Sequence, residues 1–108
     1  MTLDGDCGFD VESIVFDGQA VVLLRGDLDM SSAERFGEVT RLLHSNGTPK
    51  LVIDLSELDF VDSSGLREFV VAQRRQREIG GEVVLHAPKA KIRRVLEIVG
   101  LDRTLTIT

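Results

Sequence analysis

The chain contains few of the residues on which cross-linked, membrane-embedded or aromatic-rich proteins depend. Cys7 is its only cysteine, so no disulfide can form within the chain, and its acidic neighbours disfavour a reactive thiolate. Tryptophan and tyrosine are absent, and no apolar run approaches the ~20 residues that a membrane-spanning helix needs. The acidic first residues are unlike a secretory signal. We therefore expect one cytoplasmic domain over residues 1–108, with its core at about 9–107 and without membrane insertion.

Charge is distributed unevenly along the sequence. The net charge is −5, but residues 1–62 contain 13 acids and 4 bases, whereas residues 63–108 contain 5 acids and 9 bases. An acidic protein is a poor ligand for the phosphates of DNA or RNA, so we expect no direct nucleic-acid partner. The basic run Arg74-Arg75-Gln76-Arg77 has no aromatic residues between its cations, and we interpret it as a solvated helix face.

The sequence lacks the residue patterns of common catalytic and metal centres. A nucleophile at Ser63 or Ser64 would need a nearby base, and the glycine two residues earlier that a nucleophile elbow requires is missing. The single cysteine and the two distant histidines, His44 and His86, do not give a zinc-binding spacing. Four aspartates in predicted loops are interpreted as caps of turns and helices rather than metal ligands: Asp27, Asp29, Asp59 and Asp62. We expect no catalytic residue, no metal and no cofactor, and therefore no enzyme.

Hydrophobic periodicity predicts a single-domain α/β fold. Strands are predicted at Phe9–Val15, Ala20–Leu24, Lys50–Leu55, Glu82–His86 and Leu105–Ile107. Asp17-Gly18 predicts a tight hairpin, and the segment from Gly26 to Asp29 predicts a polar loop after the second strand. The element order β-β-α-β-α-β-α-β indicates a mixed sheet packed with helices, mostly parallel, with an antiparallel N-terminal hairpin.

Three helices are predicted between these strands. The first begins at Ser31, where Glu34 would complete a capping box. The second extends from Ser63 or Ser64 to Ile79, and the third has an apolar stripe at Ile92–Val99.

The segment Asp62-Ser63-Ser64-Gly65 lies at the predicted entrance of the second helix. Its simplest interpretation is structural, since Asp62 or one serine can accept a hydrogen bond from a free backbone N–H of the first turn. Three successive capping residues exceed that need, and Gly65 leaves the serine beside it sterically open. A helix N-terminus also accommodates a phosphate, because its N–H groups and dipole favour negative charge. The segment therefore fits either a cap or a phosphorylation switch.

Four elements of the sequence together resemble the STAS domain family, and specifically the bacterial anti-sigma factor antagonists. They are Gly26-Asp27-Leu28-Asp29, Leu51-Val52-Ile53-Asp54-Leu55, Phe60-Val61-Asp62-Ser63-Ser64-Gly65-Leu66 and Val99-Gly100-Leu101-Asp102. They occur in the order and at the spacing of that family, over about residues 9–107. The Asp-Ser-Ser-Gly-Leu element is the specific one, whereas the other three indicate the fold.

The resemblance implies a binding protein that is switched by phosphorylation. The partner of such an antagonist is an anti-sigma factor that is also a serine kinase with a histidine-kinase-like ATPase fold. The unphosphorylated antagonist binds this factor and releases a sigma factor. Phosphorylation of the second serine, which corresponds to Ser64, breaks the complex, and a phosphoserine phosphatase restores it. Asp62, Ser63 and Gly65 correspond to residues that shape the contact, and Asp27 corresponds to an acidic loop residue beside the same surface.

The sequence leaves two alternatives open. Arg67 lies one turn after Ser64, and it either pairs with a phosphate at the partner-binding surface or is a solvated helix residue. The fold itself is compatible with another function, because a stand-alone STAS protein can serve a membrane transporter, such as a lipid-trafficking ABC system, or a stress-sensing complex. The presence of Ser64 favours the antagonist.

Overall fold

A computed structural model describes residues 8–108, and the interpretation of Cys7 lies outside these residues. The strands are β1 (Phe9–Phe16), β2 (Gln19–Leu28), β3 (Lys50–Val61), β4 (Glu82–His86) and β5 (Thr106–Ile107). The helices are α1 (Ala33–Ser45), α2 (Ser63–Glu78) and α3 (Ala90–Ile98), and a short 3₁₀ helix, Leu101–Arg103, follows α3. None of the described helices is long and apolar enough to span a membrane.

The five strands form one mixed sheet in the order β1-β2-β3-β4-β5. β1 pairs with β2 antiparallel, and each later pair is parallel, with α1, α2 and α3 in the connections. The turn predicted at Asp17 and Gly18 joins β1 to β2, and both residues have positive φ angles of 49° and 76°. The predicted fold class, a mostly parallel mixed sheet with an antiparallel N-terminal hairpin, is confirmed.

The core lies between one face of the sheet and the helices. Its sheet residues are fully buried and in register across the central strands: Ala20 and Val22 of β2, Leu51 and Ile53 of β3, and Val83 and Leu85 of β4. Phe36 of α1 meets Phe69 of α2 edge-on within this core, with ring centroids 5.6 Å apart. Val52 and Asp54, which alternate with the core residues of β3, are only half-buried. This strand is therefore less covered on its second face than its apolar run predicts.

Both β2 and β3 extend further than the sequence predicts. The predicted loop at residues 26–29 and the predicted connection before Val61 instead continue the two strands, to Leu28 and Val61. The register between the strands shifts twice around Gly26, and such irregularities obscure a period of two. Gly26 permits the close approach of β1, since its φ is +87° and a Cβ there would lie 1.8 Å from the Gly8 backbone oxygen.

The predicted capping box at the start of α1 is wrong. The helix begins at Ala33, and no side chain caps it. The N–H and hydroxyl groups of Ser31 instead donate to Asp29 Oδ1 (2.9 and 2.7 Å), and the Ser32 hydroxyl donates to the backbone oxygen of Asp27 (2.8 Å). Hydrogen bonds within the β2–α1 loop therefore satisfy these serines, as short polar side chains often do outside helices.

A buried glutamine fixes the C-terminal half of α2 to the sheet. The fully buried positions of this helix are Gly65, Phe69, Ala72 and Gln76. Nε2 of Gln76 donates to the backbone oxygens of Thr48 (2.6 Å) and Pro49 (2.8 Å) just before β3. The interpretation of residues 74–77 as a solvated face is therefore wrong for Gln76, because its amide takes the place of water for two backbone oxygens.

Candidate functional site

The carboxyl ends of β2 and β3 bring the predicted site residues to one edge of the sheet. Asp27 is aligned with Phe60 in the parallel register, and Leu28 is aligned with Val61. The backbone N–H of Asp62 donates to the oxygen of Leu28 (3.2 Å), and α2 begins at the next residue. Asp27 is exposed, so its carboxylate is available at the edge where the entrance of α2 lies.

Asp62 is the cap of α2. Its backbone is extended, and its Oδ1 accepts hydrogen bonds from the N–H groups of Ser64 (2.9 Å) and Gly65 (3.3 Å). The serine hydroxyls are consequently not needed as caps, and neither is hydrogen-bonded to another residue within residues 8–108. Ser63 is exposed and Ser64 is partly exposed. Both hydroxyls are therefore free on the surface of a helix N-terminus.

Gly65 allows the first turn of α2 to pack against the strands below it. The residue is buried, and a Cβ at this position would lie 2.7 Å from both Leu28 Cγ and Val61 Cγ2. Real Cβ contacts are not that short, so any larger residue would displace the turn. The position of the adjacent Ser64 thus depends on the absence of a side chain at residue 65.

Ser64 lines a groove of about 480 Å³ between α1 and α2. The residues that line it are Met30, Ala33, Glu34, Gly37, Arg41, Ser64, Arg67, Glu68, Val71 and Arg75. We call this surface the α1–α2 groove. Of the predicted site residues it contains Ser64 and Arg67, whereas Asp27 and Asp62 do not line it. The sequence analysis missed its other members, although positions 64, 67, 68, 71 and 75 have the spacing of one helix face.

A second, shallower depression lies on the other side of the serine pair. It has a volume of about 200 Å³ and is lined by Ser63, Leu66, Arg67, Val70, Val99 and Leu101. Arg67 borders both depressions and is itself exposed. Two of the large apolar side chains at these surfaces are strongly exposed, Met30 at 79% and Val99 at 51%.

Two of the aspartates considered as metal ligands have separate partners. Hydrogen bonds from Ser31 hold the pKa of Asp29 below its usual value, and the ion pair with Lys89 does the same for the pKa of Asp59. No group of three or more His, Cys, Asp or Glu side chains within residues 8–108 is placed to hold a metal ion. The histidines also have polar partners, His44 with Gln76 (3.2 Å) and His86 with Thr108 (2.9 Å).

Comparison with known proteins identifies the family. A sequence model described as "Mlab, STAS domain" matches residues 13–107, and the chain therefore belongs to the STAS domain family. BtrV of Bordetella bronchiseptica, assigned as an anti-sigma factor antagonist, is 32% identical over 84 residues, which are 78% of this chain and 72% of BtrV. The anti-sigma-B factor antagonist of Listeria monocytogenes is 30% identical over 86 residues, 80% of this chain and 75% of its own.

The fold is shared with a solved member of the same group. The crystal structure of an anti-sigma factor antagonist from Mycobacterium paratuberculosis superposes with a TM-score of 0.85 at 27% sequence identity. The superposition covers 97% of this chain and 89% of the other. The family resemblance proposed from the sequence is confirmed.

Proposed function

We propose that this protein is an anti-sigma factor antagonist, which binds an anti-sigma factor and thereby frees a sigma factor. Its membership of the STAS family and its similarity to antagonists from two genera support this function. The observation that most favours a switch at this site is that the residue which caps α2 is not the serine that would be phosphorylated. Asp62 caps the helix, so the hydroxyl of Ser64 is left without a structural task.

In this proposal the anti-sigma factor is also a serine kinase, with a histidine-kinase-like ATPase fold, and Ser64 is its substrate. Phosphorylation adds about 1.5–2 negative charges at neutral pH. A partner docked over Ser64 would have to bury that charge, and an unpaired buried charge costs several kcal/mol. A loss of about 3–4 kcal/mol lowers affinity by two to three orders of magnitude. A phosphoserine phosphatase would restore binding.

The other predicted site residues have distinct tasks in the proposed contact. Ser63 and Arg67 would contact the partner directly because both are exposed beside Ser64. Asp62 and Gly65 would act by fixing the first turn of α2 in place. Asp27 would meet a cationic group of the partner at the neighbouring strand end. The antagonist would act in the cytoplasm and would have no catalytic activity of its own.

The decisive experiment compares two variants of Ser64 after the partner has been identified by affinity capture and mass spectrometry. Ser64→Ala should bind the anti-sigma factor as tightly as the wild type does, and it should not be phosphorylated. Ser64→Asp should bind at least about 100-fold more weakly, because it introduces a charge at the docking surface. Ser13→Asp is the matched control, since Ser13 is exposed on the distant strand β1.

Two results would contradict the proposal. Equal affinities of Ser64→Ala and Ser64→Asp would mean that charge at this position does not control binding. Capture of membrane-transporter subunits or of a stress-sensing complex, with no anti-sigma factor, would favour the alternative use of the STAS fold.

A further inference from the structure

Two arginines at the end of the α1–α2 groove farthest from Ser64 play no part in the phosphorylation switch proposed above. Arg75 lies 11 positions after Ser64 on α2, which is about 16 Å along the helix axis. Arg41 lines the same groove from α1. Neither forms an ion pair within the described part of the chain. The groove therefore extends well beyond the reach of Ser64 and ends at unpaired cations.

The hydrogen-bonding capacity of the Arg75 side chain is also incompletely used. Its Nη1 is buried and has no hydrogen-bond partner, and it is the one side-chain nitrogen or oxygen in residues 8–108 of which this is true. A buried donor without an acceptor destabilises the folded state, and the effect is larger when the group is charged. Native proteins seldom retain such a group unless something else satisfies it. Arg75 lines the groove with a long, flexible side chain, so a small rotation would expose this nitrogen to an acceptor that arrives with a binding partner.

The charge of the groove favours an anionic occupant. Its lining contains Arg41, Arg67 and Arg75 against Glu34 and Glu68, whereas the whole chain has a net charge of −5. Glu68 is held close to α1, since a Cβ at Gly37 would lie 2.7 Å from its Oε1. A carboxylate is a strong partner for arginine, because the guanidinium can donate two parallel hydrogen bonds to it.

We propose that the α1–α2 groove receives an acidic side chain of the anti-sigma factor, whose carboxylate binds Arg75 and Arg41. This inference rests on the proposed function. A protein partner fits better than a free anion because the groove extends from the two arginines to Ser64 and is also lined by Met30, whose side chain is 79% exposed.

The test measures binding of the captured anti-sigma factor to Arg75→Gln and Arg41→Gln. Each variant should bind about 10-fold or more weakly, because each removes one of the two cations that hold the partner's carboxylate in the interface. Arg74→Gln is the matched control, since it removes the same charge from the neighbouring position of α2 but lines a separate depression with Val70 and Thr104. It should change affinity less than about twofold. Added salt should weaken binding of the wild type more than that of Arg75→Gln.

The outcomes separate this inference from the proposed function. The acidic contact would be overturned if Arg75→Gln and Arg41→Gln both bound the anti-sigma factor with wild-type affinity while Ser64→Asp still failed to bind it. That result would leave the antagonist function intact. A wild-type protein that binds no anti-sigma factor would overturn both. Stabilisation of the wild type, but not of Arg75→Gln, by millimolar inorganic phosphate, together with unchanged binding of the anti-sigma factor, would show a small-anion site instead. Thermal unfolding of each variant confirms that a weak binder is folded.

Discussion

At the scale of single residues, the site depends on which side chain caps α2. Asp62 accepts hydrogen bonds from two N–H groups of the first turn through one oxygen. A serine in that role would have its hydroxyl engaged with the backbone and unavailable to a kinase. The Asp-Ser-Ser order therefore separates the stabilising cap from the serine that we propose is modified, although all three residues are good caps by type.

Replacing the cap should lower stability by a modest, measurable amount. Asp62→Ala should reduce the free energy of unfolding by about 1 kcal/mol, because two N–H groups of α2 lose their acceptor. Asp62→Asn keeps the oxygen and should lose only part of that free energy. Urea denaturation of the three proteins measures the difference. If Asp62→Ala were as stable as the wild type, one of the serines would be able to replace the cap.

At the scale of elements, α2 is positioned by contacts at both ends. Gly65 places its first turn against the ends of β2 and β3, and Gln76 binds the backbone just before β3. These two contacts fix the helix along its length. The serines at its entrance and Arg75 near its end are thereby held on one rigid element, as a binding surface requires.

Adding one methyl group at the entrance of α2 should test this arrangement. Gly65→Ala should lower the free energy of unfolding by about 1–3 kcal/mol, because the new Cβ overlaps Leu28 and Val61. It should also weaken partner binding, since the displaced turn moves Ser64. Ser63→Ala is a suitable control for stability, because Ser63 is exposed in the same turn and its hydroxyl has no described partner. Calorimetry would contradict the packing argument if Gly65→Ala unfolded at the wild-type temperature.

At the scale of the whole molecule, the switch should operate without a change of fold. The phosphate would sit on the first turn of α2, where the helix dipole stabilises negative charge by roughly 0.3–1 kcal/mol, and Asp62 would partly oppose this. Ser64 is partly exposed and is not one of the buried core residues. Phosphorylation of Ser64 would therefore change the surface charge and leave the packing as it is.

Stoichiometric phosphorylation of Ser64 should change the free energy of unfolding by less than about 1 kcal/mol. Affinity for the anti-sigma factor should fall by two or more orders of magnitude in the same sample, because an uncompensated charge must be buried. Denaturation and binding measured on one phosphorylated preparation would separate the two effects. Loss of the cooperative unfolding transition would show that the switch acts by disrupting the domain.

Local patterns in the sequence were sufficient to predict the class of fold and the position of the serine pair. The hairpin at Asp17-Gly18, the buried runs of β2 to β4 and the helix entrance at Asp62 are each encoded by neighbouring residues. Periodicity and turn chemistry depend on near neighbours, so they can be deduced without knowing the tertiary contacts.

The tertiary structure alone decided where β2 and β3 end, how α1 begins and which residues form the groove. The extra length of the strands is set by the register between two segments far apart in sequence, with shifts around Gly26. Burial of Gln76 depends on backbone oxygens of Thr48 and Pro49, and the groove at Arg75 depends on the approach of α1. These features arise from pairings between distant segments, and a hydrophobic pattern read along one segment contains no information about its partner.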